Sequence, residues 1–258
     1  MRVIGVADVS KAFRIPSVRR ATVREHVLGL FEPRRFDRLQ VLDSINFDVR
    51  SGETVGIMGR NGCGKSTLLK IICGVYRADA GHVTLRSTIT PILELGVGWN
   101  WELDALDNVC LIGAVMGLSL RDIRLHMDEI LSFAELERFA NLKLKHYSSG
   151  MLARLAYAVA FSAVRDVLVL DEILAVGDAG FRERCFERFR ALRASGHTVV
   201  LVSHDPRIVS AYCGRAVLME GGRVLIEAPA ADVPDRYVSM LTPAPGSPAH
   251  ADGSGGTS

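Results

Sequence analysis

Thr54-Val55-Gly56-Ile57-Met58, then Gly59-Arg60-Asn61-Gly62-Cys63-Gly64-Lys65-Ser66, then Thr67-Leu68-Leu69-Lys70-Ile71-Ile72-Cys73 is the stretch that decides the fold. The first five residues read as a buried strand, the next eight fit glycine, four residues, Gly-Lys-Ser, and the apolar spacing after Lys65 opens a helix. Glycines in such a loop let backbone N–H groups turn inward around phosphate oxygens. Lys65 then reaches the terminal phosphates and the Ser66 hydroxyl ligates magnesium, with Arg60, Asn61, Cys63 and Thr67 in the same cradle. A plain Gly-rich turn would leave both the strand before it and the helix after it unexplained.

Further along, Val167-Leu168-Val169-Leu170-Asp171-Glu172 is an apolar strand that ends in two carboxylates. A parallel strand delivers such a group to the carboxyl edge of its sheet, beside a phosphate loop. There Asp171 holds magnesium through water, and Glu172 orients and deprotonates an attacking water. Alone, the pattern is a common strand end; together with the loop it points to nucleotide hydrolysis.

Working outward, residues 3–9 and 41–49 alternate like strands, while 14–40 reads as irregular. Short β-like runs fall at 83–85 and 90–93. From 106 to 163 the pattern is helical, with Ser119 and Asp122 as a capping box, which predicts a helical subdomain over about residues 100–165. Strands at 167–170 and 198–202 alternate with helices at 181–193 and from Pro206, the pattern of a buried parallel sheet. Residues 218–225 predict a hairpin turning at Gly221-Gly222, and 234–241 a short last helix. The Pro-, Gly-, Ser- and Ala-rich stretch 242–258 reads as a disordered tail, leaving 1–241 as the folded unit.

Composition narrows the classes. With 258 residues, 48% hydrophobic and 23% charged, the chain is globular rather than disordered or collagen-like. Its longest mainly apolar run without a charged side chain, between Asp107 and Arg121, is 13 residues, too short to span a bilayer. The opening MRVIGVADVSKAF lacks the features of a signal peptide, so a cytoplasmic location is expected. Five scattered cysteines with no CxxC pair suggest reduced thiols rather than a disulfide framework or zinc site. A formal charge of +2, carried by 26 Arg against 5 Lys, argues against bulk nucleic-acid binding.

The order of motifs carries a resemblance. After the phosphate loop come the helical stretch, Tyr147-Ser148-Ser149-Gly150-Met151, the Asp171-Glu172 strand, and Leu201-Val202-Ser203-His204-Asp205. This order resembles the ATP-binding cassette ATPases over nearly the whole folded chain. The resemblance implies an α/β P-loop NTPase fold with a mostly parallel sheet core, an antiparallel β subdomain and a helical subdomain. It also implies ATP and Mg2+ as ligands and a head-to-tail homodimer. In that dimer Ser148, Ser149 and Gly150, at a helix N-terminus, close on the γ-phosphate of ATP bound to the other subunit, and His204 contacts that phosphate. Phe13 takes the place of the aromatic ring that stacks on adenine; a packed core phenylalanine is the alternative. Asp178 would lie at the dimer seam.

Three departures from the commonest cassette pattern resemble one subclass, the ATPase subunits of bacterial O-antigen, capsule and teichoic-acid exporters. Ser149 and Met151 stand where Gly and Gln are usual. Glu94 stands near the usual glutamine that bridges to the membrane subunit. Ile173-Leu174-Ala175-Val176-Gly177-Asp178 replaces a Pro-Thr-Ser-Ala-Leu-Asp-like segment. The implied partner is a separate transmembrane permease, with this chain peripheral on the cytoplasmic face of the inner membrane. The insert at 14–40, with seven Arg, suits the permease edge or an anionic lipid headgroup layer, and equally a solvated charged loop. Trp99 and Trp101 are either permease contacts or core residues. The rival reading is a soluble cassette that clamps DNA or ribosomes, disfavoured by a single cassette without a strongly basic face.

Overall fold

The computed structural model describes residues 1–16, 36–93, 98–171 and 178–233. Along the chain come β1 (Arg2–Pro16), β2 (Phe36–Arg50), β3 (Thr54–Gly59), α1 (Lys65–Ile72), β4 (Ala80–Leu85) and β5 (Ile89–Ile92). A helical block follows: α2 (Ala105–Val115), α3 (Leu120–Leu125), α4 (Met127–Ala134) and α5 (Ser149–Ser162). Then β6 (Val167–Asp171), α6 (Ala179–Ala194), β7 (Thr198–Val202), α7 (Pro206–Tyr212) and the hairpin of β8 (Arg215–Glu220) and β9 (Arg223–Pro229) complete the described chain.

The central sheet runs β5-β6-β7-β3-β8-β9, parallel except for β9, and a smaller antiparallel sheet runs β2-β1-β4. Every residue of β3 and β7 is buried, which is why both read as mainly apolar runs rather than as an alternation with charged residues. Alternation persists in what each side chain touches. Val167, Val169, Val200, Val202 and Ile57 face a core shared with the antiparallel sheet and α1. Leu168, Leu170, Val199, Leu201 and Met58 face the opposite core, with Tyr157, Phe181 and Phe189. The helical block has its own core of Val109, Ile123, Ile130 and Leu155, and Trp99, only 8% exposed, belongs to it. Trp101 is 49% exposed, so the two tryptophans part company.

Local signals set the ends. Ser119 caps α3, its Oγ accepting the Asp122 N–H at 3.1 Å and donating to the Asp122 carboxylate at 2.6 Å. Glu220 pairs with Arg223 across Gly221 and Gly222, both at positive φ, the two-residue turn whose twist suits a hairpin.

One expectation is corrected. Residues 14–16 and 36–40 are strand, not irregular: Phe13 faces Leu39, Arg14 faces Arg38, Ile15 faces Asp37 and Pro16 faces Phe36. Ile15, Phe36 and Leu39 are all exposed there, so neither face of the ribbon is buried and no alternating pattern is imposed on the sequence. Residues 17–35, the bulk of the basic insert, lie outside the described residues, as do the helix expected at 234–241 and the tail 242–258.

Candidate nucleotide site

Gly59 ends β3 at φ 153°, and a Cβ there would sit 2.2 Å from the Met219 carbonyl oxygen and 2.6 Å from Cys63 Sγ. Only glycine fits, because β8 runs alongside at that point. The chain then turns through Arg60, Asn61 and Gly62, all exposed, into Gly64, which starts α1 in the left-handed conformation. Lys65 is 6% exposed, and its Nζ donates to the Gly59 oxygen at 2.8 Å and the Arg60 oxygen at 3.0 Å. An ammonium group has three donors, so the loop carbonyls use two and hold the third in place beside the helix N-terminus. Burial pushes the Cys63 thiol up, against the pull of the Lys65 charge. Ser66 is exposed and Thr67 half-buried in the first turn of α1, which has no acidic side chain to repel an anion.

Strand register brings the next two residues to the same edge. Asp171 lies opposite Val202 of β7, and Val202 lies opposite Ile57 of β3, two residues before Gly59. The Ser203 N–H donates to the Ile57 oxygen at 3.2 Å, and His204 follows directly, exposed. Half-buried Asp171, His204 and the loop after Gly59 therefore leave three neighbouring parallel strands at their carboxyl ends, where open α/β sheets take their ligands. Asp205 caps α7 by accepting the Arg207 N–H at 2.9 Å. Its carboxyl is held below the usual range, chiefly by the Arg207 side chain and, last among the causes, by the charge of His204.

Ser148-Ser149-Gly150 stand elsewhere, on the helical block. Ser148 caps α5, its Oγ accepting the Met151 N–H at 3.2 Å, and Ser148 and Ser149 are exposed. Beneath them Tyr147 is buried, its hydroxyl donating to the Phe139 oxygen at 2.8 Å, and burial pushes the phenol up to about 12. The result is a helix N-terminus presented to solvent from a rigid base.

Phe13 is half-buried and lies outside the three cores among the described residues. Its ring meets Tyr76 edge-on at 5.7 Å, and Lys11 Nζ lies 5.6 Å from its centroid. Asp79 fixes this strand end by accepting from Lys11 Nζ and from the Ala12 N–H, each at 2.8 Å. The Lys11 hydrogen bond is the main reason its carboxyl is held below the usual range. Phe13, Arg14, Phe36, Arg38 and Asp79 line a cavity of about 600 Å³. Tyr76 and Asp79 were invisible as neighbours of Phe13, since Asp79 is 67 residues from the Ala12 amide it holds. Glu94 and Glu172 lie outside the described residues.

The donor chemistry suits magnesium. Ser66 and Asp171 offer hard oxygen ligands, and among the described residues no group of three or more His, Cys, Asp or Glu forms a protein cage. Magnesium is ordinarily held by one or two protein oxygens together with substrate phosphates, and this set fits that mode.

This sheet order, with its glycine-pinned loop and a carboxylate and histidine on the same edge, defines a P-loop α/β protein. Residues 42–175 match the ABC transporter family, and the chain belongs to it. The ABC transporter protein AbcA of Aeromonas salmonicida is 42% identical over 202 residues, covering 78% of this chain and 66% of that protein. The O-antigen export system ATP-binding protein RfbB of Myxococcus xanthus is 37% identical over 230 residues, covering 87% of this chain and 53% of that one. RfbB of Klebsiella pneumoniae is 37% identical over 201 residues, covering 76% and 82%. The chain thus spans about half to two thirds of the length of the first two relatives. Among solved structures, the dimeric post-hydrolysis state of the ATP-binding cassette MJ0796 bound to ADP and Pi shares the fold, with a TM-score of 0.70, 24% identity and coverage of 88% of this chain and 98% of that one. No helix among the described residues is long and apolar enough to cross a membrane.

Proposed function

We propose that this chain is the ATP-binding and ATP-hydrolysing subunit of an ABC exporter that moves a lipid-linked polysaccharide of O-antigen, capsule or teichoic-acid type across the inner membrane. The observation that carries the ATPase reading is the convergence of buried Lys65, Asp171 and His204 on one sheet edge. The names of the two RfbB relatives support the class of cargo.

In this reading Lys65 and the N–H groups of residues 59–67 bind the phosphates of ATP, and Phe13 stacks on adenine above the cavity it lines. Ser66 and Asp171 hold Mg2+, which when bound neutralises charge on the phosphates. Glu172 orients a water and takes its proton, and His204 hydrogen-bonds the γ-phosphate. Ser148, Ser149 and Gly150 lie on a separate block from the loop, which suits a site completed by a second copy: each homodimer partner would present that helix N-terminus to the other's ATP. Closure and reopening of the dimer would drive a separate transmembrane permease, with Glu94 facing it and this chain peripheral on the cytoplasmic side. Arg14, Phe36 and Arg38 line the cavity beside Phe13, and the insert 14–40 to which they belong is the segment we assign to permease or anionic lipid contact. Residues 1–241 form the cassette and 242–258 a tail.

The test is Glu172→Gln. ATP turnover should vanish while ATP binding persists and ATP now traps a dimer by light scattering. Hydrolysis at the wild-type rate would remove Glu172 from its role, and a monomer at saturating ATP would remove the sandwich. Loss of the gene should leave lipid-linked glycan on the cytoplasmic side, and normal surface glycan would reject the cargo.

A further inference from the structure

Arg14 and Arg38 stand directly opposite each other where β1 pairs with β2, and both are exposed. Like charges facing each other across an antiparallel pair destabilise it. Among the described residues neither guanidinium has an ion pair of its own to offset that cost. The carboxyl of Asp79 is held below its usual range chiefly by the Lys11 hydrogen bond, and last among the causes by the charge of Arg38, so Arg38 reaches its neighbourhood. Asp79 accepts one bond on each oxygen, from Lys11 and from the Ala12 N–H, and a carboxylate has room for about four. It therefore keeps acceptor capacity for a ligand.

These groups surround one space. The cavity of about 600 Å³ is lined by two aromatic side chains, Phe13 and Phe36, by the two opposed arginines, and by Asp79. Its size is that of a small-molecule site. Phe36 is 50% exposed, so its ring is open to a ligand rather than committed to the core. Flat rings with fixed donors and an acceptor beside them are what a heterocyclic base needs: faces to stack on and groups to read its edge.

The edge groups favour one base. Guanine presents two neighbouring acceptors, O6 and N7, which a guanidinium fork meets with two parallel hydrogen bonds. Adenine sets an amino donor beside its N7 acceptor and suits an amide side chain instead. Guanine also carries donors at N1 and at its 2-amino group, which suit a carboxylate. Two guanidiniums and one carboxylate match guanine on both edges, whereas the adenine amino group would face an arginine donor with a donor.

We propose that Arg14 and Arg38, together with Asp79, are specificity-determining residues that read the edge of the base, so that this cassette takes guanine nucleotides at least as well as adenine nucleotides. The inference rests on the ATPase reading above, in which Phe13 stacks on the base.

The experiment displaces a fluorescent ATP analogue from the full-length chain, in the presence of Mg2+, with ATP, GTP and ITP. ITP has the O6 and N7 acceptors but no 2-amino group, so it isolates the arginine contacts. GTP and ITP should displace the analogue at concentrations equal to or below that of ATP. Arg14→Gln and Arg38→Gln each exchange a fork that fits O6 and N7 for an amide that fits N6 and N7. Each should shift the GTP-to-ATP preference toward ATP by at least about tenfold, the discrimination carried by one bidentate pair, with ITP following GTP. Both side chains are exposed, so the melting temperature should stay within about 2 °C of wild type. A purely electrostatic role would weaken all three nucleotides by one common factor, and that result would overturn the proposal. So would GTP binding more weakly than ATP in the wild-type chain, and a preference left unchanged in either variant would remove that arginine from the role. A wild-type chain that neither binds the analogue nor turns over ATP would sink the ATPase reading, and this inference with it.

Discussion

Leu42 of β2 packs directly on the backbone of Gly64: a Cβ at position 64 would lie 2.6 Å from Leu42 Cδ2 and 2.8 Å from the Val41 oxygen. The antiparallel sheet thus props the phosphate loop from outside, and Val41 is pinned again at Gly222, where a Cβ would come within 2.5 Å of its oxygen.

Gly64→Ala should therefore cost at least about 2 kcal/mol, combining a backbone at φ 103° with a clash against packed atoms. Gly62→Ala has φ 80° but nothing within 4 Å of the new methyl group, so about 1 kcal/mol is expected. Chemical denaturation of the two variants separates them, and equal losses would mean that Leu42 does not set the loop.

Lys65→Met keeps the aliphatic stem and removes the charge. Nucleotide affinity should fall by at least about tenfold, the equivalent of ~1.4 kcal/mol. Titration with a fluorescent ATP analogue reads the change directly. Wild-type affinity in this variant would leave the ammonium only its structural bonds to Gly59 and Arg60.

Asp79 makes a pH prediction. Its carboxyl is held below the ordinary value, chiefly by Lys11, so the charged form stabilises the fold at pH values above the unfolded carboxyl's titration, and that stability is lost as pH falls through the lower folded value. Asp79→Asn should cost about 1 kcal/mol at pH 7, discounted for exposure, and progressively less below about pH 4. Denaturation curves of the pair at pH 7 and pH 3 check the sign. The same variant should weaken ATP binding if Phe13 needs this strand end, and Phe13→Tyr should bind as wild type while Phe13→Ala should not.

Cys185 and Cys213 are buried, and burial pushes both thiols up to about 12. At pH 8 the thiolate fraction of each is about one in ten thousand, so neither should react with a disulfide reagent until the chain unfolds. Counting thiols with and without denaturant tests this, and prompt native-state labelling of Cys213 would contradict the packing around it.

Much of the site was legible because its chemistry is local. The spacing of Gly59, Gly64, Lys65 and Ser66 fixes a loop whatever surrounds it, and the run 167–171 announces a buried strand with a carboxylate at its end. Asp171 and His204 needed one further rule, that parallel strands gather their carboxyl ends on one edge, and the register of Asp171 with Val202 and of Val202 with Ile57 follows it. The ion pairs of Arg154 with Glu135 and Asp178 were not legible. Arg154 reads as one more polar position on a helix, and these partners stand 19 residues before it and 24 after it. Asp79 was missed for the same reason.

Sequence alone determined the phosphate loop, the alternation of strands and helices, and the order of motifs, because each depends on hydrophobic period and backbone freedom over a few neighbouring residues. Tertiary structure alone decided that 14–16 and 36–40 continue the first hairpin, that Trp99 is core while Trp101 is not, that Leu42 props Gly64, and that Arg154 pairs with Glu135 and Asp178. Those outcomes depend on which distant surfaces meet, and an exposed ribbon or a long-range ion pair imposes no period on the residues that form it.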